Sequence, residues 1–191
     1  MAGKDKLLLP FAETTILGAT CTALSKGGAA SIIIVIRDDD VALRTWTENH
    51  RFQVAVNARP QLGMLASIQA GIEVMGDGAS SHDGLLVSPG DLPLLQASSV
   101  QAVVDQAQVV YPFLVVPSHR QKRGHPLFVP PSLVQEVLQL DLELGLRQLL
   151  QHHPDEVAEV EVDDPGIYLD VDTSDDYEKI LLLREASLTG Q

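Results

Sequence analysis

The chain has 191 residues, 45% of them hydrophobic, enough for one globular domain with its own core and too apolar for a disordered chain. Asp and Glu total 26 against 13 Lys and Arg, a formal net charge of −13. A field of that sign repels nucleic acid backbones and anionic membranes, so neither is expected as a partner. Cys21 is the only cysteine, which rules out an internal disulfide and fits a reducing, cytoplasmic setting. No apolar run approaches membrane-spanning length, and no secretory apolar core follows the first lysines.

Met1 to Lys6 is polar, and Leu7-Leu8-Leu9-Pro10 follows at once with no strand before it. Thr14 to Lys26 reads as a helix, with Thr14 or Thr15 near its start and Gly27-Gly28 ending it. Ser31 to Ile36 is β-branched and uniformly apolar, which predicts a buried strand. Asp38-Asp39-Asp40 precede a helical stretch, Val41 to His50, and read as a cap and dipole complement in preference to a metal site. Phe52 to Val56 is a short strand, Gly63 to Met75 a helix opening on glycine, and Gly76 to Asp83 a polar loop carrying a solvated His82.

The stretch Leu85 to Leu95, LLVSPGDLPLL, organises the rest. Its apolar run reads as a strand buried on both faces and cut off by Ser88-Pro89-Gly90. Asp91 then falls in the turn beyond the strand's carboxyl end, where ligands sit in open α/β sheets. A carboxylate there can hold a divalent metal beside a phosphate; it can equally cap a short turn. Ala97 to Gln108 is helical and Phe113 to Val116 an apolar strand. Pro117 to Gly124 is the most basic short segment and runs into an extended His125 to Val129. Pro130-Pro131 opens a helix to about Leu140, and Gly145 to His152 is another. Val157 to Val162 alternates apolar and acidic residues like an edge strand, and Gly166 to Asp172 reads as a last short strand. Thr173 or Ser174 caps a closing helix with Asp175-Asp176 in its first turn.

Strands alternating with helices predict an α/β fold, a Rossmann-like three-layer sandwich whose sheet is mainly parallel. The interruption after Phe113 predicts a small antiparallel insertion, and residues 1–191 read as a single domain.

Two acidic corners, Asp91 and the Asp170-x-Asp172 pair, would both lie near the carboxyl ends of the strands. One Mg²⁺ shared between them would bridge phosphate oxygens in phosphoryl or nucleotidyl transfer. Each acid alone fits a helix cap just as well. The basic complement is Arg120, Lys122 and Arg123, able to meet a phosphate, and His125, able to bond or stack on a ligand; alone, it also fits a solvated surface loop. The sequence contains no serine elbow, CxxC, HExxH or P-loop, and its histidines lack zinc spacing.

Six segments, in order, resemble one family. Lys4-Asp5-Lys6-Leu7-Leu8-Leu9-Pro10 resembles the segment after the glycine-rich loop of the molybdenum cofactor nucleotidyltransferases. GMLASIQAGI resembles their base-contacting helix start, SPGDLPLL their metal-binding turn, and RGHPLF the loop and strand on their pterin side. ELGLRQLL is similar to their Gly-Asp-x-Gly-Ala-Arg segment, with Glu143 where aspartate is usual, and YLDVDTSDDY to their Asp-Ile-Asp-Thr-Pro-Glu-Asp-Tyr motif.

The resemblance implies an enzyme that joins the nucleoside monophosphate of CTP or GTP to molybdopterin and releases pyrophosphate, with CTP slightly favoured. It implies Mg²⁺ on Asp91 and Asp172 with Asp170 as helper, and Lys6 steadying the triphosphate in the Asp91 centre. Gly63 and Ser67 would lie against the base, the Pro89-Gly90 turn beside the nucleotide, and Arg123, Gly124 and His125 toward the pterin. Two other readings stay open. One is a carrier or maturation factor that docks on a molybdoenzyme; the other is a sugar-nucleotide nucleotidyltransferase.

In that family a first central strand and a loop of the form Leu-Ala-Ala-Gly-x-Ser-x-Arg-Met-Gly precede the lysine. The present sequence starts at that methionine, so the expectation is a sheet without its first central strand and weak nucleoside triphosphate affinity. Two strands would then carry unpaired backbone groups. Either they close up, or another segment fills the gap, or a second chain in a homodimer pairs with them.

Overall fold

The computed structural model describes residues 6–76 and 84–189. The His82 loop and the first five residues, Lys4 and Asp5 included, lie outside the described residues. A 3-10 turn, Lys6–Leu8, leads into a two-strand hairpin, β1 (Pro10–Phe11) and β2 (Thr14–Thr15). Helix α1 (Ile16–Lys26) starts where expected, because the Thr15 hydroxyl accepts the Gly18 amide at 3.1 Å. Strand β3 (Ile33–Arg37), α2 (Val41–Asn49) and β4 (Gln53–Asn57) form a βαβ unit with β3 and β4 parallel. Of the three consecutive aspartates, Asp40 caps α2, accepting the Leu43 amide at 3.1 Å.

Helix α3 (Met64–Met75), strand β5 (Leu85–Val87) and helix α4 (Ala97–Val109) follow. Then come β6 (Leu114–His119), β7 (Lys122–Arg123), β8 (Leu127–Val129), α5 (Pro131–Val137), α6 (Arg147–His152), β9 (Val157–Glu161) and α7 (Ser174–Thr189). Strands β6 and β9 are parallel. Strand β8 lies antiparallel between β5 and β6, so those two run the same way. Strand β7 turns back on β6. The sheet is mostly parallel with an antiparallel insertion, as the alternating pattern predicts.

Residue alternation on β6 separates the two helical layers. Leu114 and Val116 pack with Leu65 and Ile72 of α3, Val137 of α5 and Leu149 of α6. Val115 points the other way, into Val103 and Ala107 of α4. On that same face Leu17 and Cys21 of α1 cover Ile34 and Ile36 of β3. Burial pushes the Cys21 thiol pKa up to about 12, so it is a structural group with no nucleophilic character at neutral pH.

The expected gap is visible in the pairing. Among the described residues β3 pairs with β4, β5 pairs with β8, and no ladder joins β3 to β5. Helices α1 and α3 nevertheless reach both parts: Gly71 of α3 sits so close to β3 that a Cβ there would be 3.2 Å from Val35, while Leu65 and Ile72 of α3 pack with Val87 of β5.

Two expectations fail locally. Leu85 and Leu86 are only half-buried, because β5 has a ladder on one side among the described residues. Gly166 to Asp172 is not a strand: Pro165–Tyr168 forms a 3-10 turn, and the chain then runs irregularly to α7. The Asp164 carboxylate accepts the Gly166 amide at 2.8 Å, and Pro165 fixes the turn's first φ, which together override the apolar pattern. The closing helix begins on a reciprocal cap, with the Asp176 amide on the Thr173 hydroxyl at 3.1 Å and the Thr173 amide on the Asp176 carboxylate at 2.9 Å. Among the described residues no helix is long and apolar enough to cross a membrane.

Candidate active site

The two acidic corners meet around one cation, and that cation is a lysine. Lys6 Nζ donates to Asp91 Oδ2 at 2.6 Å and to Asp172 Oδ1 at 2.8 Å. Asp91 is the sheltered partner, with 14% of its side chain exposed, against 26% for Lys6 and 67% for Asp172. Burial works against the Lys6 charge, but the bonds to Asp172 and Asp91 and their fields outweigh it, and the ammonium is held above its ordinary range.

Local structure explains the meeting. The Pro89-Gly90 turn ends β5; the Gly90 carbonyl accepts the Thr20 hydroxyl from α1 at 3.2 Å. A Cβ on Gly90 would lie 3.0 Å from Leu17 and 3.6 Å from Leu7, so this glycine lets the 3-10 turn and α1 close over the corner. Leu7 packs there, which sets Lys6 beside Asp91. The second corner is tied to the first by backbone: the Val171 amide donates to the Asp91 carbonyl at 3.2 Å. Val171 itself is fully buried with Phe11, Ile16 and Ile180.

His125 belongs to the same site. Its amide donates to the Ile167 carbonyl at 2.7 Å. Its Nδ1 is buried with no hydrogen-bond partner among the described residues. Burial holds the ring below the ordinary imidazole range, against the Val87 carbonyl and the carboxylates of Asp91 and Asp170, so His125 is neutral at pH 7. Asp170 is exposed, and its field reaches His125. Among the described residues no group of three or more His, Cys, Asp or Glu is arranged to hold a metal, so Asp170 does not complete a triad with Asp91 and Asp172.

The basic segment is a hairpin. Arg120 and Gln121 take left-handed backbone conformations, with φ 51° and 67°, to turn β6 into β7. Two of its cations have protein partners. Arg123 grips one oxygen of Glu159 on β9, with Nη2 at 2.6 Å and Nε at 2.8 Å, and Lys122 Nζ lies 4.0 Å over the Tyr168 ring. Gly124 is required by packing, since a Cβ there would come within 2.5 Å of the Ile167 carbonyl oxygen.

The base-side residues lie at the start of α3. Gly63 has φ 84° and caps α3, with nothing within 4 Å of the position a Cβ would take. Ser67 Oγ accepts from Asn57 Nδ2 at 3.0 Å, and Asn57 Oδ1 accepts the Arg59 amide at 2.7 Å. Asn57 thus sets both the loop after β4 and the Ser67 hydroxyl.

Over residues 1–157 the sequence matches the MobA-like NTP transferase domain. The chain belongs to that family. A nucleotidyltransferase is therefore the class of enzyme this domain represents. No curated protein matches the sequence. Among solved structures, Rv0371c of Mycobacterium tuberculosis H37Rv in complex with manganese is 25% identical with a TM-score of 0.76, over 93% of this chain and 91% of that one. A nucleotidyl transferase from Methanothermobacter is 20% identical with a TM-score of 0.76, covering 94% of this chain and 86% of its own. The molybdopterin-guanine dinucleotide biosynthesis protein A of Archaeoglobus fulgidus is 13% identical with a TM-score of 0.68, over 94% and 90%. The last two likenesses show the same Rossmann-like fold.

The donor set of this MobA-like domain fits a hard divalent cation. Two carboxylate oxygens from separate corners converge on one positive charge, the Lys6 ammonium. Mg²⁺ and Mn²⁺ accept one or two carboxylates with the remaining positions filled by phosphate and water oxygens. Sequence reasoning missed a further acid, one that is structural. Asp164 is 2% exposed and accepts the Gln96 amide at 2.9 Å, the Ser99 hydroxyl at 2.7 Å and the Gly166 amide at 2.8 Å. It caps α4 from outside and shapes the turn that carries Ile167. The Asp-Pro-Gly run was its available signal.

Proposed function

We propose that this MobA-like domain transfers CMP from CTP, or GMP from GTP, to molybdopterin and releases pyrophosphate, in the cytoplasm and with one Mg²⁺. The convergence of Lys6, Asp91 and Asp172 on one point at the mouth of the sheet carries the proposal. It is supported by family membership and by the manganese found with Rv0371c.

An oxygen of the acceptor phosphate forms the new bond to the α-phosphorus as the bond to the bridging oxygen of the β-phosphate breaks. Pyrophosphate leaves with that electron pair. The metal, held by Asp91 and Asp172, would supply Lewis-acid stabilisation of charge on the phosphate oxygens. Lys6 adds a second positive charge against the triphosphate, and the Pro89-Gly90 turn orients it. Gly63 and Ser67 receive the base at the start of α3. Arg123, Gly124 and His125 face the acceptor, and the unpartnered Nδ1 of His125 is the atom assigned to a polar group of that acceptor.

Pyrophosphate release is the test, measured with Mg²⁺, molybdopterin and each of the four ribonucleoside triphosphates. CTP is expected to give the fastest release, followed by GTP. Binding of molybdopterin with no release for any nucleotide would make the domain a carrier. Release only with a sugar phosphate as acceptor would move it to sugar-nucleotide synthesis.

A further inference from the structure

The Lys6 ammonium sits where a metal bound by Asp91 and Asp172 would have to sit. It lies 2.6 Å from one carboxylate oxygen and 2.8 Å from the other. An ammonium so close to both oxygens and a divalent ion bound by those same oxygens exclude each other, through overlap and through like-charge repulsion. One of them must leave before the other enters.

The carboxylate corners are the fixed part. The Asp91 turn is held by the Thr20 hydroxyl on the Gly90 carbonyl and by the Val171 amide on the Asp91 carbonyl. Lysine is the movable part. It reaches the pair on a flexible four-carbon stem from a 3-10 turn of only three residues. A nucleoside triphosphate brings a denser set of anionic oxygens than two carboxylates, one of them mostly exposed, and can draw the ammonium away.

We propose that Lys6 is an exchangeable stand-in for the metal. In the substrate-free protein it closes the Asp91–Asp172 pair to free divalent cations. The metal enters with a nucleoside triphosphate, whose phosphates take over the lysine as the carboxylates take over the metal. This makes binding ordered and keeps an acidic protein from loading its catalytic pair with an unproductive ion. The inference rests on the metal reading under Proposed function, and its test separates the two.

The test is Mn²⁺ binding to the full chain, followed by the electron paramagnetic resonance signal of free Mn²⁺, with and without CTP. Without nucleotide, Lys6→Gln is expected to bind Mn²⁺ about tenfold more tightly than wild type. Lys6→Arg, which keeps the cation, is expected to bind as weakly as wild type, and adding Asp91→Asn to Lys6→Gln should erase the gain. With CTP, wild type should bind Mn²⁺ and Lys6→Gln should lose the advantage. Lys6→Met with circular dichroism guards against a variant that fails to fold. If Lys6→Gln and Lys6→Met bind Mn²⁺ no better than wild type, while wild type with CTP binds it through Asp91, the stand-in idea is wrong and the metal reading survives. If Asp91→Asn changes nothing in any condition, the metal reading fails and takes the inference with it.

Discussion

Asp91→Ala is expected to lower nucleotide-dependent pyrophosphate release by about a thousandfold, with the circular dichroism spectrum unchanged. Asp91 is the sheltered carboxylate of the pair, fixed through its own carbonyl to Val171 and through Gly90 to Thr20. Removing it leaves one water-exposed acid at the site, too weak a set to hold a metal in place. Asp172→Ala should cost less, about a hundredfold, because a carboxylate 67% exposed can be replaced in part by water. The pair of rates, measured side by side at saturating Mg²⁺, checks both the metal role and the ranking. Asp91→Ala retaining a tenth or more of the wild-type rate contradicts the role given to that residue.

Asp164→Ala is expected to destabilise the fold by about 3 kcal/mol, read as a drop in the urea midpoint with an unchanged slope. The carboxylate is 2% exposed and serves three donors. Truncation leaves the Gln96 amide, the Ser99 hydroxyl and the Gly166 amide without their acceptor in a buried place, and an unmade buried hydrogen bond costs more than a made one contributes. The same loss should reach the site. Asp164 shapes the turn that presents the Ile167 carbonyl to the His125 amide at 2.7 Å. Variants that still fold should therefore weaken acceptor binding more than nucleotide binding. A loss under about 1 kcal/mol would mean that water reaches these donors and that Asp164 is not a structural anchor.

The alternation of strands and helices was legible because each element carries its own period and its own stop. Asp40 and Thr173 were readable as caps because capping is local, decided within four residues. Asp91 was readable because proline and glycine ended an apolar run just before it. Its union with Lys6 and Asp172 was not, since those residues are 85 and 81 positions away (91 − 6 and 172 − 91) and nothing local encodes the meeting. Motif order, through the resemblance, supplied the pair.

The failures have the same origin. Gly166 to Asp172 looked like a strand because its apolar residues alternate, while the turn is dictated by a side chain outside that window, Asp164. That Arg123 would also pair with Glu159, and Gly124 pack on Ile167, was not readable for the same reason, since both partners are distant in sequence.

The central claim is that Asp91 and Asp172 share one divalent ion beside a nucleoside triphosphate. Crystals grown with CTP and Mn²⁺, recorded at the manganese absorption edge, address it directly. The account predicts an anomalous peak bonded to one oxygen of each carboxylate and to a phosphate oxygen, with Lys6 Nζ moved onto the triphosphate. Manganese held by the phosphates with both carboxylates out of reach, and Lys6 still clasping them, would contradict it.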